Sequence, residues 1–135
     1  SSCLHVNCGG KDVNVKDDKG ENLYVGDDVQ GGTATYFYSS NDHWGFSSTG
    51  DFMDDFDGQN IRYTVSSPSS NMPELYKTAR VSPITLTYFH NCMENGNYTV
   101  NVHFAEIQFT NDKTFRSLGK RIFDIYVQVT GHWSN

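Results

Sequence analysis

Two stretches of sequence decide the fold class: Tyr-Thr-Val-Asn-Val-His-Phe-Ala-Glu-Ile-Gln-Phe at residues 98–109 and Arg-Ile-Phe-Asp-Ile-Tyr-Val-Gln-Val at residues 121–129. In the second stretch, apolar side chains occupy every other position from Phe123 to Val129, which is typical of a strand with one buried face. In the first, the alternation changes parity after Phe104. This change indicates either a β-bulge or a strand covered on both faces, and we favour the bulge. Both stretches are therefore predicted strands, with Phe104 and Phe123 as partners in the core.

The composition of the whole chain agrees with a β-rich fold. Val, Ile, Thr, Tyr and Phe make up 44 of the 135 residues, whereas Leu and Ala together make up only 8. Further short apolar runs predict strands at residues 4–7, 13–16, 61–65 and 84–89, separated by turn signals rich in Gly, Pro, Ser and Asn. Six or more short strands suit a β-sandwich, and the length suits a single domain over residues 1–135.

Two segments are expected to depart from the strand pattern. Residues 73–80 begin with Pro73 and Glu74, which favour the first turn of a helix, so at most one short helix is expected. Residues 31–57 are interpreted as a long irregular loop of the kind that is functional or tightly packed onto the body. Seven aromatic residues lie in it: Tyr36, Phe37, Tyr38, Trp44, Phe46, Phe52 and Phe56.

The charge distribution excludes a general nucleic-acid binder. The net charge is −6, and residues 1–60 carry 11 acidic but only 3 basic side chains. A protein that binds the phosphate backbone needs Lys and Arg clustered on one face. No apolar run approaches the ~18–20 residues that cross a bilayer, so we expect a soluble chain without membrane insertion.

The motifs of common catalytic and cofactor sites are absent from the sequence. It contains no H-E-x-x-H, G-x-S-x-G, Walker or G-x-G-x-x-G pattern, so we expect neither enzymatic activity nor a cofactor. Residues 51–58 hold four aspartates but lack the residue order of an EF-hand loop, which favours a solvated turn over a metal site. Glu106 is expected to be a buried carboxylate that orients a neighbouring loop or, as the less favoured reading, hydrogen-bonds a ligand hydroxyl.

The 19 aromatic residues suggest a carbohydrate-binding site as one hypothesis. A sugar ring presents a flat C–H face edged with hydroxyls, so its site needs an exposed aromatic platform beside polar side chains. Such combinations occur near Trp44, around Tyr76 and Arg80, and at Gln108 and Phe109. The alternative is that all these rings pack in the core or against loops.

Longer motifs occur in a fixed order along the chain. They are Leu-His-Val-Asn-Cys-Gly-Gly (4–10), Trp-Gly-Phe-Ser-Ser-Thr-Gly with Asp-Phe-Met-Asp-Asp (44–55), Glu-Leu-Tyr-Lys-Thr-Ala-Arg (74–80), Asn-Gly-Asn-Tyr-Thr-Val-Asn-Val-His-Phe-Ala-Glu-Ile (95–107) and Leu-Gly-Lys-Arg-Ile-Phe-Asp-Ile-Tyr (118–126). Together they resemble the malectin domain, most closely the version in plant leucine-rich-repeat receptor-like kinase ectodomains. The resemblance implies a jelly-roll-like β-sandwich, a secreted or extracellular location, and a non-catalytic carbohydrate-binding role.

The resemblance also implies where a sugar would bind. The family's aromatic contact positions match Trp44, Val81, Gln108 and Phe109 here, and only the first and last keep a ring. The expected ligand is a plant cell-wall or other glucose-containing oligosaccharide. Positions matching Phe104 and Phe123 are implicated in plant members, but the alternation described above makes them supports in the core. The predicted carbohydrate-binding residues are Trp44, Tyr76, Arg80, Gln108 and Phe109.

An extracellular setting favours two covalent modifications. Cys8 and Cys92 lie in family-like motifs beside strands, whereas Cys3 lies in a terminus expected to fray, so a Cys8–Cys92 disulfide is predicted. The sequon at Asn97 follows an Asn-Gly turn, so Asn97 is predicted to face solvent and carry a glycan.

The last part of the chain suggests a second function. Relative to the resembling family, one or more strands are expected to be missing after about residue 128. The strand left at the edge would present unpaired backbone groups to another chain. We therefore expect self-association, or pairing with a receptor partner, from Phe123 to Trp133. The alternative to sugar binding is a protein-interaction or self-assembling module with no sugar ligand.

Overall fold

The chain is described from a computed structural model, which covers residues 3–31, 34–51, 61–63, 73–91, 93–107 and 121–127. The described part contains eight strands and one 3₁₀ helix, Pro73–Tyr76. The all-β class predicted from the sequence is therefore confirmed. The strands are β1 (Val6–Asn7), β2 (Val13–Asp17), β3 (Gly20–Gly26), β4 (Thr35–Ser39), β5 (Trp44–Thr49), β6 (Ile61–Tyr63), β7 (Thr78–Arg80) and β8 (Thr85–His90).

The first sheet has the strand order β1-β3-β2. Strands β2 and β3 form an antiparallel hairpin whose last pair joins Asp17 and Gly20. Gly20 has a φ of 138°, a backbone conformation that a residue with a side chain rarely adopts. Strand β1 adds to the other side of β3 in parallel, with Val6 opposite Val25. The parallel pair brings the N-terminal motif beside the residues that follow β3.

The second sheet, β4-β5-β8, is antiparallel and contains most of the described core. Trp44 and Phe46 of the central strand are 1% and 0% exposed. Phe37 of β4 packs on both, with ring centroids 5.5 and 5.8 Å away. Tyr88 of β8 packs on Phe46 from the other side at 5.7 Å. One face of this sheet is therefore a packed aromatic layer.

This sheet corrects the interpretation of residues 31–57 as an irregular loop. Most of the segment's described residues form a β-hairpin, in which β4 pairs with β5 and a turn carries His43 at a φ of 57°. The reason is the alternation within the two strands: Phe37, Trp44 and Phe46 lie on one face of the sheet, whereas Tyr36, Tyr38 and Gly45 lie on the other. The aromatic residues thus marked a sheet with one buried face.

The third sheet pairs β6 with β7, and Ile61 lies opposite Arg80. The helix predicted over residues 73–80 is only one 3₁₀ turn, after which the chain becomes β7. A helix of two turns gains few internal hydrogen bonds for the backbone freedom it loses. Pairing with β6 satisfies the same backbone groups, and so the strand forms.

The two C-terminal stretches also differ from expectation. Residues 98–107 and 121–127, their described parts, have no assigned strand, and so no bulge near Phe104. Phe104 and Phe123 do contact each other, with ring centroids 5.0 Å apart. They are 59% and 57% exposed, however, so their predicted place in the core is wrong. Alternation specifies which side chains share a face, but not what covers that face.

Glu106 was also expected to be buried, and the structure corrects this. Its carboxylate pairs with the guanidinium of Arg121, and both side chains are about half exposed. A pair in this setting is well solvated and contributes little to stability. The contact nonetheless places residues 98–107 beside residues 121–127.

Candidate functional site

A buried ion pair joins the end of β3 to the end of β7. Arg80 Nε donates a hydrogen bond to Asp27 Oδ2 at 3.1 Å, and both side chains are fully buried. Arg80 Nη2 donates to the backbone carbonyls of Asp27 and Val29, the latter at 3.0 Å. The guanidinium also lies 4.2 Å from the centre of the Phe46 ring. One arginine thereby fixes the segment that follows β3.

The Asp27 carboxylate also gathers two donors from other segments. The backbone N–H of Gly9 donates to Oδ1, and the hydroxyl of Tyr88 donates to Oδ2. Gly9 has a φ of 75°, and a Cβ there would lie 2.6 Å from the backbone carbonyl carbon of Ala79, so only glycine fits. The cluster therefore connects the N-terminal turn, β7 and β8 around one carboxylate.

Burial dominates the electrostatics of this cluster. It raises the pKa of Asp27 above its usual range, while the donors from Tyr88, Gly9 and Arg80 act in the opposite direction. Burial also raises the pKa of Tyr88. Cys8 is exposed as a residue, but its thiol faces Tyr88 and Asp27, and desolvation there raises its pKa to about 11. The thiol is therefore protonated and weakly reactive at neutral pH.

A cleft of about 430 Å³ lies beside this cluster, and it is called here the polar cleft because most of its lining residues are polar or charged. Its walls come from the Gly9-Gly10 turn, the start of β2, the segment after β3, the 3₁₀ helix and the start of β7. One ion pair spans part of the lining, since Lys77 Nζ lies 2.6 Å from Glu74 Oε1. The lining residues are Asn7, Gly9, Gly10, Lys11, Asp12, Val13, Asp28, Gln30, Glu74, Lys77 and Thr78.

Two oxygens in the cleft wall have unused hydrogen-bonding capacity. Asn7 is 5% exposed and its Nδ2 donates to the Lys11 carbonyl at 2.8 Å. Its Oδ1 and the Thr78 Oγ1 are buried with no hydrogen-bond partner in the described part of the chain. A Cβ at Gly10 would lie 2.3 Å from Asn7 Nδ2 and 2.6 Å from Thr78 Oγ1, so glycine lets these groups approach. Buried polar atoms of this kind favour binding of a ligand or ordered water.

Of the five sequence-predicted sugar-binding residues, the three that the structure describes do not form one exposed surface. Trp44 is 1% exposed and Arg80 5%, which corrects the exposure expected of a platform and a rim residue. Trp44 lies in the aromatic core, and Arg80 is held by Asp27. Tyr76 is partly exposed, and its hydroxyl lies 3.0 Å from His103 Nδ1. Gln108 and Phe109 lie outside the described residues.

Sequence reasoning missed the residues that build this site. Asn7, Gly9 and Gly10 lie within one of the quoted motifs, but their importance depends on contacts with the distant Asp27 and Thr78. Asp27 is one of the 11 acidic side chains in residues 1–60, and nothing beside it in the sequence distinguishes it from the other ten. The adjacent Gly-Gly pair was the available signal, because two glycines between short strands indicate a close backbone approach as well as a turn.

The modification sites are only partly described. Asn97 is exposed, as the glycan prediction requires, whereas its glycosylation stays a prediction. Cys8 carries a free thiol, and Cys92 lies outside the described residues, so the Cys8–Cys92 bridge also stays a prediction. Among the described residues, no cluster of three or more His, Cys, Asp or Glu side chains could hold a metal ion. Nor does this part of the chain contain a helix long and apolar enough to span a membrane.

Comparison with known proteins gives consistent matches. The family model of the malectin domain matches residues 2–133. The probable LRR receptor-like serine/threonine-protein kinase RFK1 of Arabidopsis thaliana is 60% identical over 129 residues, which cover 95% of this chain and 13% of that protein. Two other probable LRR receptor-like serine/threonine-protein kinases of the same plant are 52% and 45% identical, over 93% of this chain and 13% and 12% of their own lengths. No solved structure matches.

Proposed function

The chain belongs to the malectin domain family, and we propose that it is a non-catalytic carbohydrate-binding module on the extracellular side of a receptor-like protein or in a secreted one. The proposed ligand is a plant cell-wall or other glucose-containing oligosaccharide. The kinase activity in the relatives' names is theirs, and this chain spans about an eighth of their length. No phosphoryl transfer is proposed for it.

The observation that carries this proposal is the polar cleft. Each sugar hydroxyl both donates and accepts hydrogen bonds, so a sugar site needs donors and acceptors side by side. The cleft supplies ammonium and amide donors from Lys11 and Gln30, and carboxylate acceptors from Asp12 and Asp28. Its volume of about 430 Å³ lies within the usual range of small-molecule sites. This combination fits a neutral ligand rich in hydroxyls.

The buried ion pair supports the proposal by making the cleft rigid. Arg80 and Asp27 hold the segment that carries Asp28 and Gln30, and Asp27 also holds the Gly9 turn opposite. Walls that are already ordered lose less conformational freedom when a ligand binds. In this proposal Arg80 therefore acts as a support behind the cleft and not as a direct contact.

The other sequence-predicted residues keep a place in the proposal. Tyr76 lies on the same 3₁₀ helix as Glu74, which lines the cleft. Gln108 and Phe109 remain proposed contacts on the basis of family resemblance. Trp44 supports the sheet from the core.

Isothermal titration calorimetry with soluble glucose oligosaccharides tests the proposal. We expect wild-type protein to bind with a dissociation constant of about micromolar to millimolar, because a hydrated ligand in an open site gains little net free energy. Asp28→Ala should weaken binding about tenfold, the effect of losing one hydrogen bond to a charged group. Asp18→Ala is the matched control, since Asp18 is also an exposed aspartate but lies in the β2–β3 turn. The absence of wild-type binding to every tested oligosaccharide would refute the proposal.

Exposed apolar side chains favour the second candidate, a protein-interaction or self-assembling module. Phe104, Phe123 and Ile125 are each more than half exposed, and the first two contact each other. Such patches commonly mark protein interfaces. The proposed partner is a second copy or a receptor chain, bound through the segment from Phe123 to Trp133. Light scattering at tens of micromolar tests self-association: a dimer converted to monomer by Ile125→Glu supports it, and a wild-type monomer refutes it.

A further inference from the structure

The solvent face of the β4-β5-β8 sheet carries a row of aromatic side chains. In the antiparallel register, Tyr38 lies opposite Gly45, which lies opposite Phe89, so these residues share one face. Tyr36 lies two residues before Tyr38 on the same face. The core residues Phe37, Phe46 and Tyr88 occupy the opposite face. Tyr36, Tyr38 and Phe89 therefore form a second aromatic layer, called here the aromatic strip.

The rings of the aromatic strip lie in nearly parallel planes. The Phe89 ring centroid is 6.2 Å from that of Tyr36 and 6.1 Å from that of Tyr38, with interplanar angles of 20° and 10°. Gly45 makes this arrangement possible, because a Cβ there would lie 2.7 Å from Phe89 Cζ. The Phe89 ring thus lies over the central strand between two tyrosines.

The strip is open to solvent. Tyr36 is 69% exposed and Tyr38 39%, and Phe89 is partly exposed. These side chains contribute little to the core, whose rings lie on the other face of the same strands. An exposed cluster of three large rings is unusual on a protein surface unless it contacts a ligand or a partner.

The other residues on this face indicate the chemistry of the ligand. The positions that share the face on the three strands are uncharged and carry hydroxyls at Ser47, Thr49, Thr85 and Thr87. Thr49 Oγ1 and Thr85 Oγ1 lie 2.5 Å apart, so these two hydroxyls form a hydrogen bond with each other. Ser47 lies opposite Tyr36 in the register, and Thr87 lies opposite Ser47 on the next strand. Flat rings beside uncharged hydroxyls match a neutral ligand with apolar faces and hydroxyl edges, whereas a charged peptide or an anionic lipid surface would find no counter-charge here.

We propose that the aromatic strip binds an oligosaccharide chain, with the apolar faces of its pyranose rings packed on the exposed surfaces of Tyr36 and Tyr38, and with Phe89 completing the apolar surface between them. The hydroxyls of Ser47 and Thr87 hydrogen-bond to the sugar hydroxyls at the ring edges. This inference rests on the proposed function for its ligand class, but the strip shares no residue with the polar cleft. Three neighbouring rings form a surface longer than any one ring, so the strip suits a chain of several sugar units.

Calorimetry on the whole chain tests the strip, with β-1,4-linked and α-1,4-linked glucose hexasaccharides and the corresponding disaccharides as probes. Tyr36→Ala and Tyr38→Ala should each weaken binding of a bound hexasaccharide about threefold to tenfold, the usual worth of one ring contact. The disaccharides should be affected less. Tyr36→Phe keeps the ring face and should stay within about twofold of wild type. Tyr98→Ala is the matched control, because Tyr98 is 41% exposed but lies in another segment.

The outcomes separate this inference from the proposed function. If wild type binds a hexasaccharide, Asp28→Ala weakens binding and the two strip variants do not, the strip is refuted and the cleft stands. If the strip variants alone weaken binding, the strip is supported and the cleft is not the site. If wild type binds none of the probes, both are overturned. Melting curves followed by far-UV circular dichroism verify that each variant is folded. A change in the NMR chemical shifts of the Tyr36 and Tyr38 ring protons on titration with the hexasaccharide gives an independent readout.

Discussion

Replacing Asp27 with Asn should destabilise the protein more than any other single change of comparable size. The substitution keeps the shape of the side chain but removes its charge and one acceptor oxygen. Three donors converge on the carboxylate, from Gly9, Arg80 and Tyr88, and the Arg80 charge is fully buried beside it. In Asp27→Asn this charge loses its counter-charge, and an amide N–H₂ faces at least one of the donors.

The expected magnitude follows from the burial. Removing one partner of a buried ion pair costs about 3–5 kcal/mol, against a total free energy of unfolding of about 5–15 kcal/mol. At about 3–5 °C per kcal/mol for a chain of this size, the melting temperature should fall by about 10–20 °C. The exposed neighbour offers a matched control: Asp28→Asn should stay within about 0.5 kcal/mol of wild type.

Urea unfolding at pH 7, followed by circular dichroism, measures these differences. A double variant, Asp27→Asn with Arg80→Met, should lose less stability than the sum of the two single variants, because it removes both buried charges. A loss below about 1 kcal/mol in Asp27→Asn would refute the reasoning. It would mean that the carboxyl is neutral in the folded protein, since an amide then replaces it at little cost.

Three further predictions concern covalent chemistry and packing. Non-reducing peptide mapping should find Cys8 joined to Cys92. In the reduced protein, the pKa of Cys8 is about 11 in the folded state against an ordinary 9.0, so its contribution to stability is fully present below pH 9 and is lost as the pH rises through 11. Cys8→Ser should remove this pH dependence from the urea midpoints. Gly45→Ala should destabilise by about 1–3 kcal/mol in thermal melts, because its Cβ would lie 2.3 Å from the Phe37 carbonyl oxygen, and an unchanged melting temperature would contradict the register. Asn97→Gln should remove a glycan mass from protein secreted by plant cells while leaving the melting temperature unchanged; an identical mass would show that the sequon is unused.

Part of the fold could be predicted because it depends on neighbours in sequence. The strands expected at residues 13–16 and 84–89 are present as Val13–Asp17 and Thr85–His90, whereas β3, the hairpin partner of β2, was not among the predicted strands. The alternation of β4 is hidden in the sequence, because Tyr36, Phe37 and Tyr38 are consecutive aromatic residues that lie on both faces of the sheet.

The candidate site could not be predicted to the same extent, because exposure is not a local property. Trp44 and Tyr36 are both aromatic residues in neighbouring strands, yet one is 1% exposed and the other 69%. Only the pairing of β4 with β5 and β8 decides which face of the sheet each ring occupies. The sequence predicted a sugar platform and placed it on the buried ring.

The sequence by itself determined the all-β class, the positions of half of the eight described strands (β1, β2, β6 and β8) and membership of the malectin family, because apolar alternation and motif order are properties of the chain itself. The tertiary structure alone decided that Arg80 is a buried support and that Asp27 belongs to the core. Their ion pair joins residues 53 positions apart. Each charge can be buried only because the fold places the opposite charge beside it, and the sequence of neither segment indicates that contact.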